Sequence, residues 1–257
     1  VRIPLESLSK QMTPHYSLAQ KLEVHTGVSL GLAFTQQKSY KLISVMQSIF
    51  GIGADQSIRL GIEKLAKAIP LSFIVLEAGT SEFTPTSYEK TLEWLNLAAN
   101  VAAENQIALT TKVHVSTNQH HAKWGNYNFL PQHTNNNVGI LAHTVMFYGL
   151  LDSKTPIYGN KDFSDMRNFI LQERTKRPTW YYPETSYWVG MDLDIHLLLT
   201  DYLRTRTEDF KWLHDQKIEG HLNFTTGHAL AGWLMDWNLA LITATAHQLP
   251  PLTGLQL

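Results

Sequence analysis

The sequence contains no cysteine, which excludes disulfide bonds, thiolate metal sites and a cysteine nucleophile. Charged residues make up only 17% of the chain, below the roughly 25% of an ordinary soluble domain. The net charge is −1 and no basic stripe is visible, which argues against a nucleic-acid partner. No apolar run approaches the roughly 18 residues of a membrane span, so we expect none.

The chain begins at Val1, with neither a starting methionine nor the apolar segment of a signal peptide. Its 257 residues are 44% hydrophobic, enough for a sizeable core. We interpret residues 1–257 as a single domain, either complete or a fragment of a longer protein. The sequence fixes neither the oligomeric state nor the compartment.

Segments of strand character alternate with segments of helical apolar spacing, the pattern of parallel βα units. The predicted strands are 28–34, 71–77, 106–116, 138–150, 179–184 and 217–227. The predicted helices are 39–50, 56–69, 88–105, 162–176, 194–216 and 229–249. The pattern predicts an α/β fold, either a (β/α) TIM-type barrel with irregular or missing members or an open doubly wound sheet. No glycine-rich phosphate loop follows the first strand, which favours the barrel.

Polar side chains recur at the carboxyl ends of these predicted strands. In an α/β barrel the functional residues lie at those ends and in the loops that follow. The residues concerned are Glu77, His114, His143, Glu184 and Asn223. A glutamate there also has a plain structural interpretation, as a helix cap or as the partner of a neighbouring lysine.

Glu184 stands in the stretch "RPTWYYPETSYW", where aromatic side chains surround a single carboxylate. Pro183 fixes its own φ and helps to set the direction of the glutamate. A carboxyl group enclosed by rings is favoured in its protonated form, which suits a general acid, whereas a polar hydrogen-bonded setting suits a nucleophile or base. The sequence leaves both open for Glu184. The same rings would serve equally as core packing between the sheet and the helices.

Rings beside carboxylates and amides are also what sugar binding requires, because a pyranose has an apolar C–H face and polar hydroxyls. The segment 117–137 has no helical period and contains Trp124 and Tyr127. A loop of that length inside a domain is usually functional or mobile. We expect Trp124, Tyr127, Tyr187 and Trp188 to stack on a carbohydrate substrate.

A glycosidase needs two carboxyl groups, about 5 Å apart in a retaining enzyme and roughly 6.5–9.5 Å apart in an inverting one. Glu77 and Glu184 are our expected catalytic pair, because both fall at predicted strand ends. His114, His143 and Asn223 would bind the substrate. This hypothesis needs no cofactor.

A metal hypothesis uses the same residues. Glu77, His114, His143 and Glu184 come from four successive predicted strands, and carboxylate and imidazole groups suit Zn²⁺ or Mn²⁺. Such a site would support an isomerase, a lyase or a hydrolase. The tight H-E-x-x-H signature is absent from the sequence.

Three stretches together resemble the (β/α)-barrel glycoside hydrolases: "FIVLEAGTSEF", "TWYYPETSYW" and "GHLNFTTGHALAGWLMDW". Each is an apolar strand followed by a loop rich in acids or rings. The resemblance implies hydrolysis of a glycosidic bond by two carboxylates at the mouth of a barrel lined with aromatic side chains. A barrel that binds carbohydrate without turnover is the non-enzymatic alternative.

Overall fold

The structure is a computed structural model that describes residues 5–33, 40–43, 51–78, 87–114, 120–144, 148–154, 162–184, 200–218, 220–224 and 229–245. The chain divides into two compact units. The first comprises Val1–Val113 and Gln119–Ile140, and the second comprises His114–Asn118 and Leu141–Leu257. In the described part of the chain, every helix is too short or too polar to cross a bilayer.

Helices and strands alternate along most of the described chain. The helices are α1 (Leu5–Lys21), α2 (Ala54–Ala68), α3 (Tyr88–Glu104), α4 (Ser164–Glu173), α5 (Thr200–Asp215) and α6 (Ala229–Thr245), with a 3₁₀ helix at Tyr127–His133. The strands are β1 (Gly27–Gly31), β2 (Phe73–Glu77), β3 (Ala108–His114), β4 (His120–His121), β5 (Gly125–Asn126), β6 (Val138–His143) and β7 (Thr179–Tyr182).

The main sheet is parallel and has the strand order β1-β2-β3-β6-β7. In its register Leu30 lies opposite Leu76, and Leu76 lies opposite Thr111. Each new strand of this sheet is added on the same side of the preceding one. Among the described strands the order has no reversal of the kind that defines a doubly wound sheet, and it agrees with the winding of an α/β barrel. The prediction of an α/β fold is therefore confirmed.

The core of the first unit forms where apolar faces of two helices cover a strand that is itself buried. Ile74 and Leu76 of β2 are fully buried, and so are Ile58 and Ile62 of α2 and Leu95 of α3. Ile58 and Ile62 are four residues apart, which places them on one helical face. Burying each such side chain contributes about 1.5–3 kcal/mol to folding.

In the second unit, residues 220–224 run parallel to β7 and extend its hydrogen bonding. Tyr181 N donates to Gly220 O at 3.0 Å, and Leu222 N donates to Tyr181 O at 2.9 Å. A Cβ atom at Gly220 would lie 2.6 Å from the indole ring of Trp180, so this approach requires glycine. The prediction of a strand within 217–227 is confirmed at its centre.

The predicted helix over 39–50 is wrong at its beginning. Tyr40 O accepts from Gly31 N at 2.7 Å, and Leu42 N donates to Gly31 O at 2.9 Å. Residues 40–43 therefore satisfy the open edge of β1 with an extended backbone, which overrides their helical apolar spacing. Residues 44–50 lie outside the described part of the chain.

The segment 117–137, which the sequence indicated to be irregular, contains a short hairpin and the 3₁₀ helix. The hairpin pairs β4 with β5 in antiparallel fashion. The side chain of Asn126 then accepts from Asn128 N at 2.9 Å and caps the 3₁₀ helix. Such short elements have no periodicity long enough to be predicted.

Candidate functional site

Three side chains of the second unit lie at the carboxyl ends of strands. His114 is the last residue of β3, His143 is the last residue of β6, and Glu184 follows β7 by two residues. Their exposed fractions are 3%, 4% and 5%. Ionisable groups are seldom buried to this extent unless they have polar partners.

Glu184 and His143 form a direct carboxyl–imidazole contact. His143 Nε2 lies 3.3 Å from Glu184 Oε1, and His143 Nδ1 lies 2.7 Å from the carbonyl oxygen of Tyr182. A carbonyl oxygen only accepts, so Nδ1 carries a proton and donates it there. The contact at Nε2 is then favourable only when one proton lies between the two groups. The pair is either imidazolium with carboxylate or imidazole with carboxylic acid.

Aromatic rings pack around His143. The ring of Tyr182 lies 5.0 Å from the imidazole of His143, between centroids, and the ring of Phe224 lies 6.3 Å from it. The imidazole of His114 also contacts the His143 ring. Their centroids are 5.1 Å apart and the two ring planes are tilted by 38°. Because such surroundings have a low dielectric constant, the interaction between Glu184 and His143 is stronger than it would be in water.

The local sequence explains where the Glu184 side chain points. Alternation along the strand places Tyr182 and Glu184 on the same face. Phe224 N donates to Pro183 O at 2.8 Å, and Glu184 and Phe224 form a parallel bridge. Both hold the backbone of Glu184 in extended form at the exit of β7.

A buried polar network lies next to this site, and its members were not among the predicted site residues. Arg206 Nη1 donates to Tyr181 Oη at 2.8 Å and to Asp209 Oδ2 at 2.9 Å. Tyr181 Oη donates to Asp209 Oδ2 at 2.6 Å. Since that phenol proton is used, Thr144 Oγ1, at 2.8 Å, must donate to Tyr181 Oη. Arg206-x-x-Asp209 resembles an exposed i, i+3 ion pair in the sequence, and only the fold shows that it is buried.

Burial dominates the protonation equilibria of this network. It raises the pKa of Asp209 to about 6, while Arg206 and the hydrogen bonds from Tyr181 and Leu150 act in the opposite direction. Burial also raises the pKa of Tyr181 well above its usual value. Tyr181 is therefore a neutral phenol that can donate to Asp209.

Glu77, the other expected catalytic carboxylate, belongs to the first unit. It is the last residue of β2, and its Oε1 lies 3.1 Å from Lys112 Nζ. Both side chains are partly exposed, at 22% for Glu77 and 15% for Lys112. Glu77 thus faces an ammonium group, as the structural interpretation of the sequence allowed, and its role in catalysis stays a prediction.

Trp124 and Tyr127 also belong to the first unit, where they pack against α3. Trp124 Nε1 donates to Glu89 Oε1 at 2.9 Å. The Tyr127 ring is only 2% exposed and meets Tyr88 edge to face, with centroids 4.6 Å apart. Substrate stacking by Trp124 and Tyr127 stays a prediction.

Of the remaining predicted binding residues, Asn223 is in the described part of the chain. Its Nδ2 donates to Asp236 Oδ1 at 2.9 Å, which orients the amide in the second unit. Tyr187 and Trp188 lie outside the described residues. Their expected contacts with a substrate stay predictions.

Among the described residues, no three histidine, aspartate or glutamate side chains are arranged to hold a metal ion. The proposed metal ligands Glu77, His114, His143 and Glu184 are all within that part of the chain. Two of them, His143 and Glu184, contact each other directly as a carboxyl–imidazole pair.

The second unit also contains a cavity of about 660 Å³ near the end of α5. Phe210, Leu213, Ile218 and His221 are among its lining residues. Burial lowers the pKa of His221, which favours the neutral imidazole. Of the predicted site residues that the structure describes, none lines this cavity.

No protein-family model matches the chain, and no curated protein matches its sequence. Solved structures do match its fold. A chitinase from Chromobacterium violaceum ATCC 12472 is 10% identical with a TM-score of 0.51, over 93% of this chain and 85% of that chain. A D-tagatose 3-epimerase-like protein is 12% identical with a TM-score of 0.52, over 92% of this chain and 85% of that chain.

Both of these structures are TIM-barrel-like. At such low identities the likeness concerns the fold, and it agrees with the strand order of the sheet. The location of His114, His143 and Glu184 at strand ends corresponds to the active-site end of that fold in general.

Proposed function

We propose that this protein is a carbohydrate-active hydrolase that cleaves a glycosidic bond, with Glu184 as its general acid. The observation that carries the proposal is the buried contact between Glu184 and His143 at the ends of β7 and β6. A proton shared by this pair would be available for donation to a leaving group. The two solved structures of similar fold bear names of sugar-processing proteins, which supports the choice of carbohydrate.

In the proposed reaction, the proton of the pair moves from Glu184 to the glycosidic oxygen as the bond to the anomeric carbon breaks. The second carboxylate, Glu77, would either attack that carbon and form a glycosyl-enzyme ester, in a retaining enzyme, or take a proton from a water that attacks it, in an inverting one. The Nδ1–H group of His143 stays hydrogen-bonded to Tyr182 O throughout, so its Nε2 is held toward Glu184. In a retaining enzyme Glu184 would then take a proton from the attacking water and return to its starting state. Exclusion of bulk water by the rings around His143 would favour the first transfer.

Glu77 is the proposed second carboxylate. Its ion pair with Lys112 differs from the proton-holding pair of Glu184, and the two roles in a glycosidase need such different surroundings. His114, Trp124, Tyr127, Tyr187, Trp188 and Asn223 are the proposed substrate-binding residues. Replacement of Glu77 by glutamine should abolish turnover while substrate binding is retained.

The role of Glu184 can be tested with two aryl glycosides that share a sugar and differ in the leaving group. We expect Glu184→Gln to lower kcat/KM by about 10²–10⁴-fold for a phenol of poor leaving ability, which needs a proton. With a dinitrophenol, which leaves without one, the loss should be no more than about 10-fold. Glu208→Gln is a suitable control, because Glu208 is an exposed glutamate of α5 that pairs with Arg204.

Equal losses on both substrates would contradict the general-acid role. The same panel should include free aldoses and ketoses in deuterated water. Incorporation of deuterium next to their carbonyl group, without glycoside hydrolysis, would replace the proposal with isomerisation. Sugar binding without any turnover would indicate the non-catalytic barrel, and activity restored to chelated protein only by Zn²⁺ or Mn²⁺ would support the metal hypothesis.

A further inference from the structure

We propose that Arg206 is a positioning residue, which holds the backbone of Glu184 so that its carboxyl group meets His143. Arg206 Nε donates to Glu184 O at 3.3 Å. The Arg206 side chain is buried, with only 2% of its surface exposed. The catalytic part of this inference rests on the proposed function. Its structural part, the alignment of two side chains, does not.

One guanidinium group connects several segments near the end of β7. Besides Glu184 O, which accepts from Nε, three acceptors surround Nη1: Tyr148 O at 2.9 Å, Tyr181 Oη at 2.8 Å and Asp209 Oδ2 at 2.9 Å. Since Nη1 carries two hydrogens, one of them is shared between two of these acceptors. Asp209 Oδ1 in turn accepts from Leu150 N at 2.7 Å. Residues 148–150, β7 and α5 are thus fixed to each other and to Glu184 by a rigid planar donor.

The influence of Arg206 on Glu184 is geometric. Its positive charge is compensated within the network by Asp209, at 2.9 Å, and its bond to Glu184 goes to the main-chain oxygen. Phe224 holds the neighbouring Pro183 oxygen. The backbone on both sides of the Glu184 Cα atom is therefore hydrogen-bonded, which fixes the direction in which its side chain leaves the main chain.

The contact between Glu184 and His143 tolerates little displacement. His143 is anchored by its 2.7 Å bond to Tyr182 O, and Glu184 Oε1 is already 3.3 Å from Nε2. A further shift of about 1 Å would put the two atoms beyond hydrogen-bond distance. A displacement of that size at a reacting group can cost about 10²-fold in rate.

The test is Arg206→Lys, with Arg177→Lys as the matched control. Lysine keeps the charge beside Asp209 but cannot donate to all four acceptors. Arg177 is a second buried arginine of the same unit, and it pairs with Glu173 at 2.8 Å. We expect Arg206→Lys to lower kcat on the poor leaving group by about 10²-fold with KM almost unchanged. Arg177→Lys should leave kcat near the wild-type value once the folded fraction is equal.

The structural readout is the ¹⁵N chemical shift of His143 Nε2, with Glu184→Ala as the reference for a broken contact. In Arg206→Lys this shift should move toward the Glu184→Ala value, and in Arg177→Lys it should stay at the wild-type value. An unchanged shift and unchanged kcat in folded Arg206→Lys would overturn the inference. If that variant does not fold, Arg206→Gln combined with Asp209→Asn removes both charges together and should show the same displacement.

The two proposals fail in different ways. If Glu184→Gln retains full activity, the proposed function is wrong, whereas the His143 shift still decides whether Arg206 aligns the pair. If Glu184→Gln is inactive and Arg206→Lys is fully active with a wild-type shift, the positioning inference alone is wrong.

Discussion

At the scale of the residue, the second unit buries more ionisable side chains than its sequence indicates. Glu184 was recognisable because it ends a predicted strand, and His114 and His143 because they are polar residues in the later parts of apolar strands, positions with a known meaning in α/β proteins. Arg206 and Asp209 were not, because charged residues on an amphipathic helix usually face water. Sequence periodicity predicts which face of a strand or helix is buried. It says little about which polar side chains are buried together with that face.

Protonation of Asp209 should make the stability of the protein depend on pH. Its pKa in the folded protein, about 6, lies above the ordinary value of 3.8, so the folded state binds this proton more tightly than the unfolded state does. The stabilisation that results is present at low pH and is lost as the pH rises through about 6. Relative to Asp209→Asn, the unfolding free energy of the wild type should fall between about pH 4 and about pH 7, by at most about 3 kcal/mol.

Urea unfolding of both proteins across that pH range measures this difference. The substitution also leaves Arg206 without its counter-charge, but that cost does not depend on pH, since arginine stays protonated throughout. The informative quantity is therefore how the difference in unfolding free energy between the two proteins changes with pH. A difference that grows with pH would mean that the ion pair with Arg206 outweighs burial, and that the pKa of Asp209 is lowered by folding.

At the scale of the element, the long regular pieces followed from the sequence and the edges did not. The predicted helix over 88–105 corresponds to α3, and the predicted strand 71–77 contains β2. Helix α1 was missed, and Pro14 lies in its interior, where proline is normally disfavoured. The hydrogen bonds that residues 40–43 make with β1 are tertiary, so a local pattern could not reveal them.

The N-terminus of α3 offers a test of local structure. Ser87 Oγ accepts from Lys90 N at 3.1 Å, which caps the helix. Ser87→Ala should lower the unfolding free energy by about 1 kcal/mol, because an amide hydrogen at the first turn loses its partner. Ser87→Asp keeps an acceptor and should unfold within a few tenths of a kcal/mol of the wild type. Equal loss in both variants, measured by chemical unfolding, would show that the cap is not the cause.

At the scale of the whole molecule, alternation of strands and helices predicted the α/β class, and the order of the described strands agrees with the winding of its barrel form. Order within a sheet depends on which edges meet, and hydrophobic patterning carries no information about that. Chain-order pairing from β1 to β7 corresponds to barrel winding. Whether a given Trp or Tyr would stack on a sugar is harder to predict, because these residues serve in cores and binding sites alike.

The claim on which the rest depends is that Glu184 and His143 hold one proton between them. The most direct measurement is NMR of the two side chains near neutral pH, through the ¹⁵N shifts of His143 and the ¹³C shift of the Glu184 carboxyl, with His143→Asn to assign the signals. We predict a protonated Nδ1, and a single proton on either Nε2 or the carboxyl group. A bare Nδ1, or a carboxylate facing an unprotonated Nε2, would contradict the shared proton and with it the general-acid role of Glu184.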